Sequence, residues 1–482
     1  MELEKKGEEI IPSAKRLINS LRSLGYEFPT AVAELVDNSI EAEATEINIR
    51  IEFYGVNSWV LVTDNGRGMT ETQLKEAMRF GSDREYNEKS LGKFGLGLKT
   101  ASFSQCKKWT VATRSNPQES EVIAYQWDLE HVNRTDRWEI IPVSSSELEL
   151  PVMEFLNEHT GTAVLWKQLG NILDYKNPEG DHARNKMASM CRELEDHLAM
   201  VYHRFLYGET SGNQIRIILN GNEIRPWDPF SRHERATKEI EAIRIPLEHE
   251  GIHGEIVIEP YILPPKVSYS TLQEHTRAGG PRKWNQQQGF YIYRNDRMIQ
   301  SGGWCRIRTY DEHTKLARFA LNFSSKLDSA FKIDVSKMYV QLPPQIRKEI
   351  DEKTQPLVIR ARDIYDQAEK PGRIETHPPP VPVDVPANLH QGTPAGKGKY
   401  TQIRPVSPPI DDVPRTGSER ADITSRDVIP HQHNPPTRNV FGNNKLWTLD
   451  EVFLEIKKIA RPDELVILKN LFDRIRDQIK DN

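Results

Sequence analysis

Three short blocks rich in glycine and polar residues follow one another between Pro29 and Lys99, and they constrain this chain more than any other feature. The blocks are Ala33–Asn38, Asp64–Met69 and Gly92–Lys99. Each block alone is a weak signal, because short motifs often arise by chance. Together they predict a pocket for a nucleoside triphosphate and its metal ion.

The first block is predicted to lie on a helix that carries two oxygen-bearing side chains. Its mostly apolar stripe, at helical spacing, comprises Val32, Leu35, Val36 and Ser39. Glu34 and Asn38 are four residues apart and are expected to project together from the opposite face. A carboxylate there can take a proton from an attacking water, and an amide oxygen can be a hard ligand for Mg²⁺. The alternative is an ordinary amphipathic helix with a polar outer face.

The second block ends a predicted strand at the mouth of the same pocket. Residues 58–63 are typical of a strand, and Asp64-Asn65-Gly66 ends it with turn residues. The Asp64 carboxylate can accept a hydrogen bond from an exocyclic amine such as that of adenine. Gly66 and Gly68 let the backbone pass close to a flat ligand. The alternative is a simple turn whose polar residues serve only its local geometry.

The third block places glycines 92, 95 and 97 before a predicted helix over 98–103. Such a loop offers backbone N–H donors and a favourable helix dipole to an anion. Lys93 and Lys99 are expected to add positive charge for phosphates. The pattern is neither a Walker A loop nor a dinucleotide fingerprint. A flexible surface loop is the alternative.

In order and spacing the three blocks resemble the motifs of the GHKL ATPases, the superfamily of gyrase B, the large heat-shock chaperone, histidine kinases and MutL. Phe80-Gly81-Ser82 and the run Gly97–Ala101 are most similar to its MORC branch. The run Gly161–Trp166 resembles the strand whose Thr hydroxyl, here Thr162, joins the adenine contact. The resemblance covers roughly the first 360 residues, with sharp motifs in the first 170.

The resemblance implies a role for each matching residue. Glu34 would be the base that orients water, Asn38 would hold Mg²⁺, and Asp64 would read adenine. Histidine kinases of the superfamily usually carry Asn at the position of Glu34, so the carboxylate favours hydrolysis over phosphotransfer. The remaining predicted nucleotide contacts are Gly66, Gly68, Met69, Gly92, Lys93, Phe94, Gly95, Leu96, Gly97, Lys99 and Thr162.

The predicted fold of residues 1–210 is an α/β (α+β) domain, a GHKL or Bergerat two-layer sandwich with a mixed sheet. Its predicted elements are helices 14–25, 29–42, 70–79 and 182–206, strands 46–53, 58–64, 108–114, 121–128 and 161–167, and a lid over 81–99.

Residues 211–370 are predicted to form a second α/β domain that resembles the S5-type transducer domain of gyrase B, MutL and MORC relatives. Asn220-Gly221 predicts a hairpin that opens this domain. Its other predicted elements are strands 241–246, 253–262, 289–294 and 297–301 and the helix 347–369. In those families a transducer lysine reaches the γ-phosphate. Lys337 is the candidate, with Lys332 and Lys326 as rivals and an ordinary surface lysine as the alternative.

The remainder of the chain is predicted to be a linker followed by a small module. Residues 371–440 hold 14 of the chain's 31 prolines, all between Pro371 and Pro436, which predicts a disordered linker. Residues 441–482 regain helical patterning and are predicted to form a small helical module that binds a protein partner or forms a dimer.

Composition excludes several classes of protein. The net charge of −5 gives no global attraction to nucleic acid, although a local basic patch remains open. Three separated cysteines predict a reducing compartment and no disulfide framework. Without a secretory signal or a membrane span, a cytoplasmic protein is expected, nuclear if eukaryotic.

The function predicted from these features is Mg²⁺-dependent ATP hydrolysis that drives a conformational cycle. The MORC likeness implies an ATP-dependent homodimer that acts as a clamp on double-stranded DNA. The alternative is a chaperone-like or scaffold ATPase with a protein client. A degenerate ATPase that only binds nucleotide is less consistent with the intact Glu34 and Asn38.

Overall fold

A computed structural model describes residues 10–23, 25–81, 88, 90–92, 95–116, 121–170, 175–332 and 340–369. All of them lie within the first of the two units into which the chain divides, residues 1–380. The predicted linker 371–440 and helical module 441–482 lie outside the described residues. None of the described helices combines the length and hydropathy that a membrane crossing requires.

The N-terminal part is built on a mixed sheet of eight strands, in the order β5-β4-β3-β6-β2-β1-β7-β8. Neighbouring strands are antiparallel except for β1 and β7, which are parallel. The strands are β1 Glu46–Glu52, β2 Trp59–Asp64, β3 Lys108–Arg114, β4 Ile123–Asp128, β5 Ile141–Val143, β6 Gly161–Lys167, β7 Arg216–Leu219 and β8 Asn222–Glu223. The α/β sandwich with a mixed sheet is therefore confirmed.

The helices pack mainly on one face of this sheet. They are α1 Ala14–Arg22, α2 Phe28–Glu41, α3 Glu71–Met78, α4 Gly97–Gln105, α5 Leu129–Thr135, α6 Leu150–Glu158, α7 Asp181–Val201 and α8 His203–Tyr207. The largest core cluster joins α2, α4 and α7 to the sheet through residues such as Val60 and Val62. Leu61 points to the other face, where α6 covers it with Val152 and Leu156. The sequence did not predict α6.

The hairpin at Asn220-Gly221 forms, but in a different sheet from the one expected. Both turn residues have positive φ, 47° and 81°, as a tight hairpin requires. Ile217 of β7 pairs with Ile47 of β1, so the hairpin forms the edge of the first sheet. Its assignment to the start of the second domain is wrong, because a hairpin signal is local and does not specify which sheet receives the strands.

A second sheet has the strand order β10-β11-β14-β12-β13, with β9 paired to β11. Its elements are β9 Lys238–Glu239, β10 Ile243–His249, β11 Ile252–Ile262, β12 Gly289–Arg294, β13 Arg297–Gln300 and β14 Ala317–Phe323, with helices α9 Leu272–Ala278, α10 Lys283–Gln286 and α11 Pro344–Glu369. Four of these strands were predicted, but the central strand β14 was not. The long helix α11 packs on this sheet through Ile346, Ile350 and Val358.

One face of the second sheet contributes to the core of the first, while its other face packs in a separate cluster. Tyr291 and Tyr293 of β12, Met298 of β13 and Ala320 of β14 belong to the same buried cluster as α2 and β1. This packing fixes β12 and β13 against the helices that carry the predicted nucleotide residues.

Candidate nucleotide site

Helix α2 carries the proposed base inside the protein and the proposed metal ligand at its surface. Glu34 is only 4% exposed. Between Thr30 and Ser39 every residue is buried except Asn38, which is exposed. The alternative of an ordinary amphipathic helix with a polar outer face does not describe α2, because the helix is enclosed on nearly all sides. Glu34 and Asn38 still share one side of the helix, one turn apart.

The end of β2 holds Asp64 in a defined orientation. Its Oδ2 accepts a hydrogen bond from Ser39 Oγ at 2.8 Å, and its Oδ1 accepts one from the Gly66 N–H at 3.0 Å. Burial raises the pKa of the Asp64 carboxyl, and the hydrogen bonds from Ser39, Gly66 and Thr162 oppose that rise. Contacts within the protein thus fix the orientation of the carboxyl group.

Thr162 lies beside Asp64. The two residues are directly paired between β2 and β6. The Thr162 hydroxyl lies 3.3 Å from that of Thr113, which also accepts a hydrogen bond from the Met69 N–H at 3.0 Å. Thr113 therefore ties two of the predicted nucleotide residues together.

Close packing within the protein accounts for two glycines of the second block. A Cβ on Gly66 would lie 2.8 Å from the Cβ of Ala42 and 2.9 Å from Asp64 Oδ1. Gly68 has a φ of +64°, and its Cβ would lie 2.2 Å from the Arg114 carbonyl oxygen. These contacts require glycine whether or not a ligand approaches.

The third block brings the start of α4 against Glu34. A Cβ on Gly97 would lie 2.3 Å from Glu34 Oε2, so the glycine makes room for the carboxylate. The N–H groups of the first turn of α4 have no partners within the helix and are available to an anion. Gly95 has a φ of +62°, Leu96 precedes the helix, and Gly92 donates its N–H to Glu41 Oε1 at 2.5 Å. Lys93 and Phe94 lie outside the described residues.

Lys99 makes a contact that the sequence did not predict. Its side chain is 3% exposed, and Nζ donates to the Ala77 carbonyl at 3.0 Å. Burial lowers the pKa of Lys99 to about 8. In this conformation the Ala77 carbonyl at the end of α3 holds the ammonium group that we expected to meet a phosphate.

Residues 26–162 match the sequence model of a family described as "Histidine kinase-, DNA gyrase B-, and HSP90-like ATPase". This stretch contains all three blocks, the buried Glu34 and the Asp64–Thr162 pair. Residues 26–162 form a GHKL ATPase domain.

Individual relatives of the GHKL domain are distant. "ATPase morc-1" of Caenorhabditis elegans is 23% identical over 208 residues, which are 41% of this chain and 24% of that protein. The "DNA mismatch repair protein MutL" of Herminiimonas arsenicoxydans is 30% identical over 125 residues, 25% of this chain and 19% of the relative. The same protein of Staphylococcus carnosus is 36% identical over 101 residues, 20% and 15% respectively. The chain thus spans about a quarter or less of the length of these relatives.

The transducer lysine remains a prediction. Lys337 lies outside the described residues. Of its rivals, Lys332 is exposed and has a φ of 46°, and Lys326 pairs with Glu88 Oε2 at 3.2 Å. Lys326 therefore contacts the segment that precedes the glycine loop.

Two residues that contact predicted nucleotide residues, Ser39 and Thr113, were not expected from the sequence, because these contacts are tertiary. Ser39 was counted in the apolar stripe of α2, yet its hydroxyl orients Asp64. Thr113 belongs to a strand with no motif of its own. The sequence did contain a signal for Ser39, because it is a polar residue within the apolar stripe of α2.

The predicted metal ligand, Asn38, fits a magnesium ion. The carboxamide oxygen is a hard donor of the kind that Mg²⁺ prefers, and it is exposed on an otherwise buried helix. It lies on the same side of α2 as Glu34. This matches an ion held between one side chain and the substrate phosphates.

Proposed function

We propose that this chain hydrolyses ATP, with Glu34 as the base and Asn38 as a ligand of Mg²⁺. The observation that carries the proposal is the position of Glu34, buried and directly against Gly97 at the start of α4. A carboxylate beside a helix N-terminus places a proton acceptor next to donors for a phosphate.

In the proposed reaction a water oxygen attacks the γ-phosphorus while Glu34 accepts a proton from that water. The bond between the γ-phosphorus and the bridging oxygen breaks, and ADP and phosphate leave. N–H groups at the start of α4 would stabilise charge on the phosphoryl oxygens. Asp64 and Thr162 would hold the adenine. Bound Mg²⁺ would neutralise phosphate charge.

The substitution Glu34→Gln tests this mechanism while keeping the shape of the side chain. We expect ATP binding to persist and steady-state turnover to fall about 100-fold or more, because a positioned base contributes on that scale. Glu158→Gln, at an exposed carboxylate of α6, is the matched control and should retain turnover. Normal turnover in Glu34→Gln would rule out the mechanism.

We infer further that ATP binding joins two copies of the chain into a clamp on double-stranded DNA. The named activity of two relatives, DNA mismatch repair, supports DNA over other substrates. A second support is the charge of the insertion between β11 and β12, residues 263–288. It contains one acidic residue, Glu274, and four cations.

The cations of this insertion are exposed and available to an external anion. They are Lys266, Arg277, Arg282 and Lys283, and none forms an ion pair with another residue in the described part of the chain. Glu274 is already paired with His233 at 2.9 Å. The insertion is anchored from beneath by the buried Arg318, whose Nη2 donates to the Ala278 carbonyl at the end of α9 at 2.7 Å. A fixed basic surface of this kind suits the phosphate backbone.

Turnover measured with and without long double-stranded DNA tests the clamp. We expect DNA to stimulate turnover, and the stimulation to fade as salt rises. The double variant Lys266→Glu/Lys283→Glu should lose the stimulation and keep basal turnover. Lys238→Glu/Lys348→Glu, with the same change of charge at exposed lysines elsewhere, should keep both. Basal turnover without any response to DNA would favour the alternative, a protein client.

A further inference from the structure

The turn between β12 and β13 contacts both sides of the nucleotide site. It comprises Arg294, Asn295, Asp296 and Arg297. Asn295 and Asp296 have φ values of 47° and 66°, which fold the two strands back tightly. On one side the turn meets Glu88, Ser90 and Leu91, which are described residues before the glycine loop and which we call the pre-loop segment. On the other side it meets α2.

Arg294 joins the second sheet to the pre-loop segment. It is 3% exposed and forms a two-pronged ion pair with Asp328, at 2.7 Å from Nε to Oδ1 and 2.9 Å from Nη2 to Oδ2. That pair fixes the plane of the guanidinium group. The remaining nitrogen, Nη1, donates to the carbonyls of Ser90 at 2.9 Å and Leu91 at 3.0 Å.

Asn295 and Ser325 hold the same segment at Glu88, which precedes the residues that Arg294 contacts. Asn295 Nδ2 lies 2.9 Å from the Glu88 carbonyl oxygen and 3.3 Å from that of Ser90. Ser325 Oγ donates to the Glu88 carbonyl at 2.5 Å. The backbone of the pre-loop segment therefore takes its position from side chains of the second sheet.

Arg297 holds the opposite side of the site. It is 3% exposed, and its Nε donates to Asp37 Oδ1 at 2.8 Å. Asp37 lies on α2 between Glu34 and Asn38, the proposed base and metal ligand. The Tyr202 hydroxyl lies 2.6 Å from the same Asp37 oxygen. The buried ion pair thus fixes the middle of the helix that carries the proposed chemistry.

The turn itself is held in place. Arg204 Nη1 donates to Asp296 Oδ1 at 3.1 Å and to Asn322 Oδ1 at 2.7 Å. Its guanidinium carbon lies 3.8 Å from the centre of the Tyr293 ring. A turn anchored at its tip and buried at both ends can transmit a displacement from one end to the other.

We propose that the β12–β13 turn couples the pre-loop segment to α2, and that Arg294, Asn295 and Arg297 are positioning residues for ATP turnover. This inference rests on the proposed hydrolysis of ATP. Asn295 sets how the glycine loop is presented to nucleotide. Arg297 sets where α2 presents Glu34. The second sheet then communicates with the nucleotide through described contacts that do not involve Lys337.

Hydrogen exchange of the full chain, measured without nucleotide, tests the contact with the pre-loop segment. Asn295→Gly keeps the positive φ of the turn and removes the side-chain donor. We expect amides of the pre-loop segment to exchange about five-fold faster, because two neutral hydrogen bonds to this segment are lost. Asn220→Gly is the matched control. It has the same φ of 47° in a tight turn and also loses a side-chain hydrogen bond, from Ile51 N, but has no contact with this segment.

Steady-state kinetics separates the two arms of the turn. Asn295→Gly should raise KM for ATP about five-fold and leave kcat within about two-fold, since the base is untouched. Arg297→Lys keeps the charge beside Asp37 but cannot reproduce the geometry of the guanidinium group, so kcat should fall more than KM changes. Asn220→Gly should change neither constant.

The outcomes keep this inference distinct from the proposed function. Unchanged exchange in the pre-loop segment of Asn295→Gly would overturn the coupling, even if the wild-type chain hydrolyses ATP. Parallel changes of KM and kcat in Asn295→Gly and Arg297→Lys would also overturn it, because they would indicate a common loss of structure. Absence of turnover in the wild-type chain would overturn the proposed function and leave the exchange result to decide the contact.

Discussion

The position of the Glu34 carboxylate depends on residue 97 having no side chain. Gly97 lies in helix α4 with ordinary helical backbone, so glycine is required there for space rather than for φ. A Cβ would lie 2.3 Å from Glu34 Oε2, inside any allowed contact distance. Gly97, the last glycine of the third block, thus leaves room for the base and also begins helix α4.

Gly97→Ala should therefore impair chemistry and leave the fold intact. We expect turnover to fall about ten-fold or more, because a base displaced by roughly an ångström loses its alignment with the water. ATP turnover and thermal unfolding together check the result. Gly212→Ala is the control, since its Cβ would meet only Thr210 Oγ1 at 3.9 Å. Normal turnover in Gly97→Ala would mean that Glu34 can relax without loss of function.

Lys99 should make stability depend on pH in the alkaline range. Its pKa is about 8 in the folded chain against an ordinary value of 10.5. Below pH 8 both states hold the proton, and burying the charge costs up to about 3 kcal/mol. Between pH 8 and 10.5 the unfolded state binds more protons, so the free energy of unfolding rises as this cost is relieved.

Lys99→Met should consequently stabilise the fold at pH 7, and its advantage should shrink towards pH 10.5. Urea unfolding of wild type and variant at about pH 7, 8.5 and 10 measures the difference. Lys348→Met, at an exposed lysine of α11, should show no such trend. A gap between Lys99→Met and wild type that does not vary with pH would contradict the assignment.

At the scale of elements, one tyrosine hydroxyl from the end of α7 contacts two turns of α2. Tyr202 is fully buried, and its hydroxyl lies 2.7 Å from the Ala33 carbonyl oxygen and 2.6 Å from Asp37 Oδ1. One proton therefore serves two acceptors on adjacent turns of the helix. Burial, together with the neighbouring Asp37 charge, raises the pKa of Tyr202 well above its ordinary value, so this donor persists.

Tyr202→Phe should destabilise the fold by about 2 kcal/mol, the usual scale for a buried hydrogen bond to a charged group. Denaturant unfolding at constant slope gives the value. Tyr207→Phe, at a tyrosine that is 43% exposed, should cost much less. Equal losses in the two variants would show that the Tyr202 hydroxyl is not a specific support of α2.

Elements were predictable from sequence wherever their pattern was local. Strands β2, β3 and β6 fall within a residue or two of their predicted bounds, because apolar alternation and turn residues mark both ends. Strand β14 was missed because Arg318 interrupts its apolar run. The Arg318 side chain is fully buried. Its guanidinium group donates to two carbonyl oxygens and lies over aromatic rings from distant segments. Lys99 and the β7–β8 hairpin likewise contact residues that are distant in the sequence, so a local pattern could not predict their partners.

At the scale of the molecule, the shared core makes the two sheets depend on one another. The buried cluster around α2 includes Tyr291 and Tyr293 of the second sheet. The predicted boundary at residue 210 precedes the edge strands β7 and β8 of the first sheet. A cut at that point would expose both the open edge of β1 and the apolar face that β12 covers.

Fragments of the chain should reveal this dependence. We expect the fragment 1–370 to unfold in one cooperative transition and the fragment 1–210 to show none. The fragment 1–230 restores the edge strands without the second sheet and should be intermediate. Urea unfolding followed by tryptophan fluorescence compares the three. A cooperative transition of 1–210 at the midpoint of 1–370 would show that the first domain is independent.

The same core restricts how such a protein can be rebuilt from parts. A chimera that joins this nucleotide-binding half to another protein's second half would place foreign side chains against α2. Unless the graft supplied equivalents of Tyr291, Tyr293 and Met298, it would leave gaps or clashes beneath the base-bearing helix. Exchange of halves by recombination is therefore expected to fail between distant relatives, and the two halves should be inherited together.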